Sequence, residues 1–221
     1  MAKKTIYLLR HGQTAYNRAL VHQYHAVPLS PAGERQAELL AERITSFAPD
    51  MLIASDIKRA QQTAEAIARQ TGLPLITEPL FEEIKRPTSL YGKAFADPRS
   101  IWAFIALYLH ATNLHWHYSD EENFSEFRDR AHRAVEYLEQ VDGERVVVVS
   151  HRIFIAGMLA AIQCRFACSM GSFVRKSVLL RGIANASITT LTYDSERADP
   201  WQIVSVSDAR HLASMKAGET H

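Results

Sequence analysis

Apolar residues along this chain fall into short unbroken runs, separated by longer stretches where they recur every three or four positions. Thr5-Ile6-Tyr7-Leu8-Leu9 is the first run and predicts a strand. Ser30 then stands as an N-cap with Pro31 at the first helical position. Ala37, Leu40, Ala41, Ile44 and Phe47 give that helix one buried face, and Pro49 ends it. Asp50-Met51-Leu52-Ile53-Ala54 predicts a second strand. Ser55-Asp56 is placed to cap a second helix, whose stripe is Ile57, Ala60, Ala64 and Ile67 and which Gly72 and Pro74 terminate. Leu75-Ile76 is a short third strand. Arg145-Val146-Val147-Val148-Val149 is β-branched and unbroken, as expected of a strand buried on both faces of a parallel sheet. Ser150-His151 ends it and a helix follows from Ile153. Alternation over 187–193 and 201–206 predicts two last strands, and the chain beyond about Arg210 is expected to be loose.

The stretch 84–120 breaks this rhythm. It is rich in aromatics and histidines and holds a helical stripe of Ile101, Phe104, Ile105, Tyr108 and Leu109. It reads as a cap insertion over the edge of the sheet. A long amphipathic helix follows from Phe124 to about Leu138, with Ser119 or Asp120 near its start, and Asp142-Gly143 turns the chain. The alternation of strands and helices predicts a three-layer α/β/α sandwich with a mostly parallel central sheet and a helical cap insertion. The economical domain organisation is a single domain over 1–221.

Composition adds bounds. With 221 residues, 47% hydrophobic and 22% charged, the chain can bury a sizeable core. A formal net charge of +1 gives no global field for recruiting nucleic acid or an anionic membrane, so neither is an expected partner. Cys164 and Cys168 are the two cysteines, four apart on what reads as a helix; they suggest buried small side chains in a reducing compartment. The N-terminal Met1-Ala2-Lys3-Lys4 runs straight into a strand without the apolar core of a signal peptide, and no run is long enough to span a bilayer. A cytoplasmic location is the expectation.

Two of the strands end in histidine, His11 and His151, and in a parallel sheet both reach the same edge, where open α/β sheets bind ligands. Arg10 precedes His11, and Arg59 lies on the first turn of the helix after the second strand. Histidine can serve as nucleophile, base or acid near neutral pH. Arginine grips phosphate with a planar, permanently charged fork. Convergence of Arg10, His11, Arg59 and His151 therefore suggests phosphoryl chemistry, with two arginines and an imidazolium stabilising the oxygens. Gly12 is expected to allow the sharp turn after the first strand.

Several blocks together resemble one family. Leu9-Arg10-His11-Gly12-Gln13-Thr14 with Asn17, then 29–37, then Ser55-Asp56-Ile57-Lys58-Arg59-Ala60-Gln61-Gln62-Thr63-Ala64, then Val149-Ser150-His151, then Asn185-Ala186-Ser187-Ile188 are similar, in order, to signatures of the histidine phosphatase superfamily. These are the phosphoglycerate-mutase-like proteins, and the likeness is to their phosphatase branch. The resemblance implies a histidine acid-type phosphatase, a phosphoric monoester hydrolase with His11 as the nucleophile that becomes phosphohistidine. It implies Arg10, Arg59 and His151 as phosphate ligands, Asn17 as a pocket-lining residue, and no cofactor or metal. The family's proton donor falls in Leu80-Phe81-Glu82-Glu83-Ile84; Glu83 is favoured because an apolar residue follows it, with Glu82 the alternative. Small phosphorylated molecules are the expected partners, and phosphorylated protein side chains are a second class. The rival readings are a phosphoglycerate-type phosphomutase and a catalytically idle phospho-ligand-binding protein.

Some residues depart from the pattern or carry bland readings. Arg152 follows His151 where many members have glycine, and is expected to narrow the pocket or add a phosphate contact. Lys85, Arg86, Lys93 and Arg99 make the insertion basic, as a solvated rim or a steering field. His110, His115 and His117 cluster beside Trp116 without an obvious acidic or cysteine co-ligand, so surface or pocket-lining histidines are expected rather than a metal site. His22 and His25 follow the signature loop and are placed to edge the pocket.

Overall fold

The apolar runs pair edge to edge in a computed structural model that describes residues 3–165, 167, 169–180, 182–213 and 215. The strands are β1 (Lys3–Arg10), β2 (Met51–Ala54), β3 (Leu75–Thr77), β4 (Arg145–Ser150), β5 (Ile188–Asp194) and β6 (Trp201–Asp208). They form one sheet in the order β3-β2-β4-β1-β5-β6. The first four are mutually parallel, while β5 and β6 run antiparallel at one side. Leu9 lies opposite Val149 and Arg10 opposite Ser150, so both histidines leave the sheet at one edge.

The helices are α1 (Ala15–Ala19), α2 (Pro31–Thr45), α3 (Lys58–Thr71), α4 (Pro98–Leu109), α5 (Phe124–Gln140), α6 (Arg152–Gln163) and α7 (Met170–Leu179). Side-chain alternation along β4 decides the layers. Val147 and Val149 pack against α2 and α3 on one face; Val146 and Val148 pack against α5, α6 and α7 on the other. The expected three-layer sandwich is the observed one. Ser30 caps α2 as expected, its hydroxyl accepting from the Gly33 N–H at 3.1 Å, and Gly72 ends α3 at φ +73°. Among the described residues, no helix is long and apolar enough to cross a membrane.

Several local expectations are corrected. Ser55 does not cap α3: the N-cap is Ile57, without a side-chain bond, and Ser55 is turned to the site described below. Ser119 and Asp120 do not open α5; Asn123 does, in a capping box with Glu126. The bulky stripe of α4 is not its buried face. Ser100, Ala103 and Leu107 pack inward instead. Ile101, Ile105, Tyr108 and Leu109 stay exposed. The chain after Arg210 is not wholly loose: Leu212 is buried beside α2. Cys164 closes α6 and is disulfide-bonded rather than a free buried thiol, and Cys168 lies outside the described residues.

Candidate active site

β1 delivers Arg10 and His11 to the carboxyl edge of the sheet, beside β4, which delivers His151. The two imidazoles face one another with ring centroids 5.1 Å apart. Arg59, on the first turn of α3, reaches between them, its Nε 3.2 Å from His11 Nε2. All four side chains are buried at the floor of the site. The convergence expected from the sequence is present, although the residues span positions 10 to 151.

The tautomer of His11 follows from its partners. Nδ1 lies 2.7 Å from the carbonyl oxygen of Gly12, which can only accept. Arginine can only donate, so the lone pair is on Nε2, the atom facing Arg59. Burial, then the charges of Arg59 and Arg10, hold the ring far below the ordinary histidine range, so it is neutral. The expectation that His151 is an imidazolium is corrected. Burial, then Arg59 and the neighbouring His11, hold its ring well below the usual range as well. Its Nε2 lies 2.9 Å from the Ser55 hydroxyl, and its buried Nδ1 is without a partner.

Arg10 is anchored by one amine, which donates to the Ile183 carbonyl at 2.6 Å, while its buried Nε is unpartnered. Burial and then the adjacent Arg152 press Arg10 down to about 9; burial presses Arg59 to about 10. Both stay charged at neutral pH. Arg152 and Arg86 also line the cavity, and no carboxylate lies within ion-pair distance of either among the described residues. The site therefore concentrates four guanidinium groups around one carboxylate.

That carboxylate is Glu83. It lines the cavity with Arg10, His11 and Arg59, and also an adjoining groove with Glu122 and Arg130; Glu82 lines that groove but not the cavity. Glu83 takes the place of a local cap at the start of α6. It accepts from the N–H groups of Phe154 (3.0 Å), Ile153 (3.2 Å) and its own neighbour Ile84 (3.0 Å). This satisfies helix-terminal donors that His151, at the N-cap, leaves open. Arg130 holds the same turn from behind, donating to the carbonyls of Leu80 (3.1 Å) and Glu82 (2.8 Å) while paired with Glu122.

Asn17 lines the cavity, but its carbonyl oxygen is committed to α1, accepting from the Thr14 N–H and from Asn185. Asn185 also donates to the carbonyls of His11 and Gly12. Asn185 and Ser55 stood in the quoted blocks, and only tertiary contact reveals what they hold. Gly12 is required for close approach rather than for a special turn. A Cβ there would lie 2.5 Å from the Gly33 carbonyl oxygen, and one on Gly33 would lie 2.0 Å from that of Gln13. The signature loop and the start of α2 thus touch backbone to backbone.

His22 and His25 line the cavity as expected. Burial holds His22 down at about 4, so it is neutral, and it packs edge-on against Phe95. His110 stacks on Trp116 at 4.1 Å and His117 pairs with Glu126 at 3.1 Å. Among the described residues no group of histidine, cysteine and acidic side chains is arranged to hold a metal.

Comparison with known proteins places this geometry in a family. Residues 6–209 match the family model of the histidine phosphatase superfamily (branch 1). A probable phosphoglycerate mutase, GpmB, of Yersinia pestis is 30% identical over 217 residues, covering 94% of each chain. A mycobacterial glucosyl-3-phosphoglycerate phosphatase, solved with vanadate, superposes with a TM-score of 0.75 at 25% identity, covering 93% of this chain and all of its own. The phosphoserine phosphatase of Entamoeba histolytica, at 18% identity, shares the fold with a TM-score of 0.74, over 95% of this chain and 99% of that one. A family match over nearly the whole chain, on a sheet whose edge gathers two arginines and two histidines around one cavity, means that this chain belongs to the histidine phosphatase superfamily (branch 1).

Proposed function

We propose that the chain is a phosphatase that hydrolyses phosphomonoesters through a phosphohistidine on His11. One observation carries this reading: His11 Nε2 is unprotonated, buried and flanked by Arg10, Arg59 and His151. A phosphoryl group entering there meets a lone pair aligned for attack and fixed positive charge for its oxygens. The Arg59 N–H now directed at Nε2 turns to a phosphoryl oxygen. The incoming negative charge between the rings favours a proton on His151, which then donates to another oxygen.

In the first half-reaction the Nε2–P bond forms and the ester P–O bond breaks. The leaving oxygen takes a proton from the Glu83 carboxyl. In the second, Glu83 accepts a proton from water as that water attacks phosphorus, the N–P bond breaks, and inorganic phosphate leaves. His11 returns to its starting tautomer and Glu83 to its protonated form. The Glu82 carboxyl is pushed up to about 7 by burial and by Asp56. Geometry ranks before acidity in choosing a donor, and of the two Glu83 lines the cavity over His11 whereas Glu82 does not. Arg10, Arg59 and His151 bind the phosphoryl group, and Asn17 helps shape its rim. The substrates are small phosphorylated molecules rather than phosphorylated proteins, because the floor lies within a concave cavity roofed by the segment between β3 and α5.

Replacement of His11 by alanine tests the reading. Release of phosphate from an aryl phosphate should fall by roughly a thousandfold or more, as for loss of a covalent nucleophile, with the circular-dichroism spectrum retained. Undiminished release would refute the mechanism. Isomer formation in place of phosphate release would favour the phosphomutase, a reading supported by the name of the Yersinia relative. Stoichiometric labelling without turnover would favour an idle binding protein.

A further inference from the structure

The cavity over His11 has two unlike walls. The floor is cationic, whereas the facing wall is built by Leu90, Phe95, Ile101, Phe104 and Leu107 from the segment between β3 and α5. The same segment also sends Glu83 and Arg86 into the cavity, alongside the uncharged Tyr91 and Ser100, so its charge comes from 83–86 while 90–107 lines the cavity with apolar and uncharged polar side chains. Phe95, Ile101 and Phe104 keep 41%, 48% and 38% of their surface exposed. Large apolar side chains converging on a concavity mark a place that a ligand covers. Size agrees. The cavity of about 520 Å³ falls within the ~300–1,000 Å³ of pockets that enclose drug-sized ligands. A phosphoryl group on a three-carbon acid leaves most of it unfilled and the apolar wall untouched.

We infer that the leaving alcohol of the substrate is bulky and predominantly apolar, seated against Phe95, Ile101 and Phe104 while its phosphate lies on the Arg10–His11–Arg59 floor. The inference rests on the phosphatase reading and names the substrate class for the same site. It also accounts for the inverted packing of α4. Ser100, Ala103 and Leu107 form its buried face, and Ile101 and Phe104 beside them reach the same cavity while keeping much of their surface exposed.

A series of n-alkyl monophosphates from ethyl to hexyl tests this, because the acidity of the leaving alcohol hardly changes along it. kcat/KM should rise two- to fourfold per methylene, about fourfold being the value of full burial. Hexyl phosphate should exceed both glycerol 3-phosphate and 3-phosphoglycerate. The double variant Ile101→Ser, Phe104→Ser, at two partly exposed positions, should flatten the rise. Non-hydrolysable n-alkylphosphonates titrated by calorimetry give the same series without turnover. A flat or falling series in kcat/KM and in affinity, or preference for 3-phosphoglycerate, overturns the inference. Absence of hydrolysis with every ester, p-nitrophenyl phosphate included, overturns the phosphatase reading instead, and the phosphonate series still decides the substrate class.

Discussion

At the scale of single residues, the two adjacent glutamates separate chemistry from electrostatics. Glu83 is held by three backbone N–H groups over the floor of the site, while Glu82 sits against Asp56 with a carboxyl raised to about 7 from an ordinary 4.5. Glu83→Gln should lower kcat by about 10²–10⁴-fold, the usual range for a lost general acid–base group, whereas Glu82→Gln should leave kcat within about tenfold. Steady-state kinetics on both variants decides the assignment, and the reverse order would move the proton donor to Glu82. Stability offers an independent reading. A carboxyl raised on folding binds more protons in the folded state, so stability is lost as pH rises from about 4.5 to about 7. Glu82→Gln removes that loss. Denaturant midpoints should show a gain of about 1–2 kcal/mol at pH 8 and none at pH 4.

At the scale of elements, the turn that carries Glu83 is as much a product of α5 as of its own sequence. Arg130 projects from α5, stacks over Phe154 at 4.3 Å and donates to the Leu80 and Glu82 carbonyls. Its partner Glu122 is equally secluded, with 14% and 12% of the two side chains exposed. Arg130→Met leaves a nearly buried carboxylate unpaired. It should cost about 3–5 kcal/mol in thermal or denaturant unfolding, and the second change Glu122→Gln should recover part of this. Because the turn positions Glu83, kcat should fall by roughly tenfold to a hundredfold with little change in KM. A proportionate rise in KM would show that the turn serves binding instead. The amino-acid pattern marks neither partner. Arg130 sits on the polar side of an amphipathic helix, and nothing in helical spacing distinguishes a solvated arginine from one folded against carbonyls. The same limit explains α4, where periodicity located the helix but not which side faced the body.

For the whole molecule, the buried histidines set the pH response. His11 and His151 are held neutral well below 6.5, and His22 at about 4. Below pH 6.5 the unfolded chain binds protons that the folded rings refuse, so stability falls as pH falls. The slope approaches ~1.4 kcal/mol per pH unit for each such histidine, or ~2.7 for His11 and His151 together. Urea midpoints between pH 7 and 5 check this; a flat profile would mean that the rings accept protons in place. Glu82 works in the opposite direction, as one part-exposed group against two buried ones.

Local order accounts for much of the architecture. Runs such as the four valines of β4 can only be buried strands, and the helices between them must cover both faces, so the parallel core and its ligand-binding edge are readable from spacing alone. Short signature blocks then single out Arg10, His11, Arg59 and His151 as the candidates for phosphoryl chemistry, side chains of the right kind at strand and helix ends. What folding alone decides is whatever depends on approach between distant segments. The backbone contact of Gly12 with Gly33, the contact of Ser55 with His151 in place of a helix cap, and the backbone N–H groups of α6 that hold Glu83 belong to this class. So does the apolar wall that α4 turns to the cavity. Arg10-His11-Gly12 names a reactive group, but its protonation state and the shape it admits arise only from burial and from neighbours far along the chain.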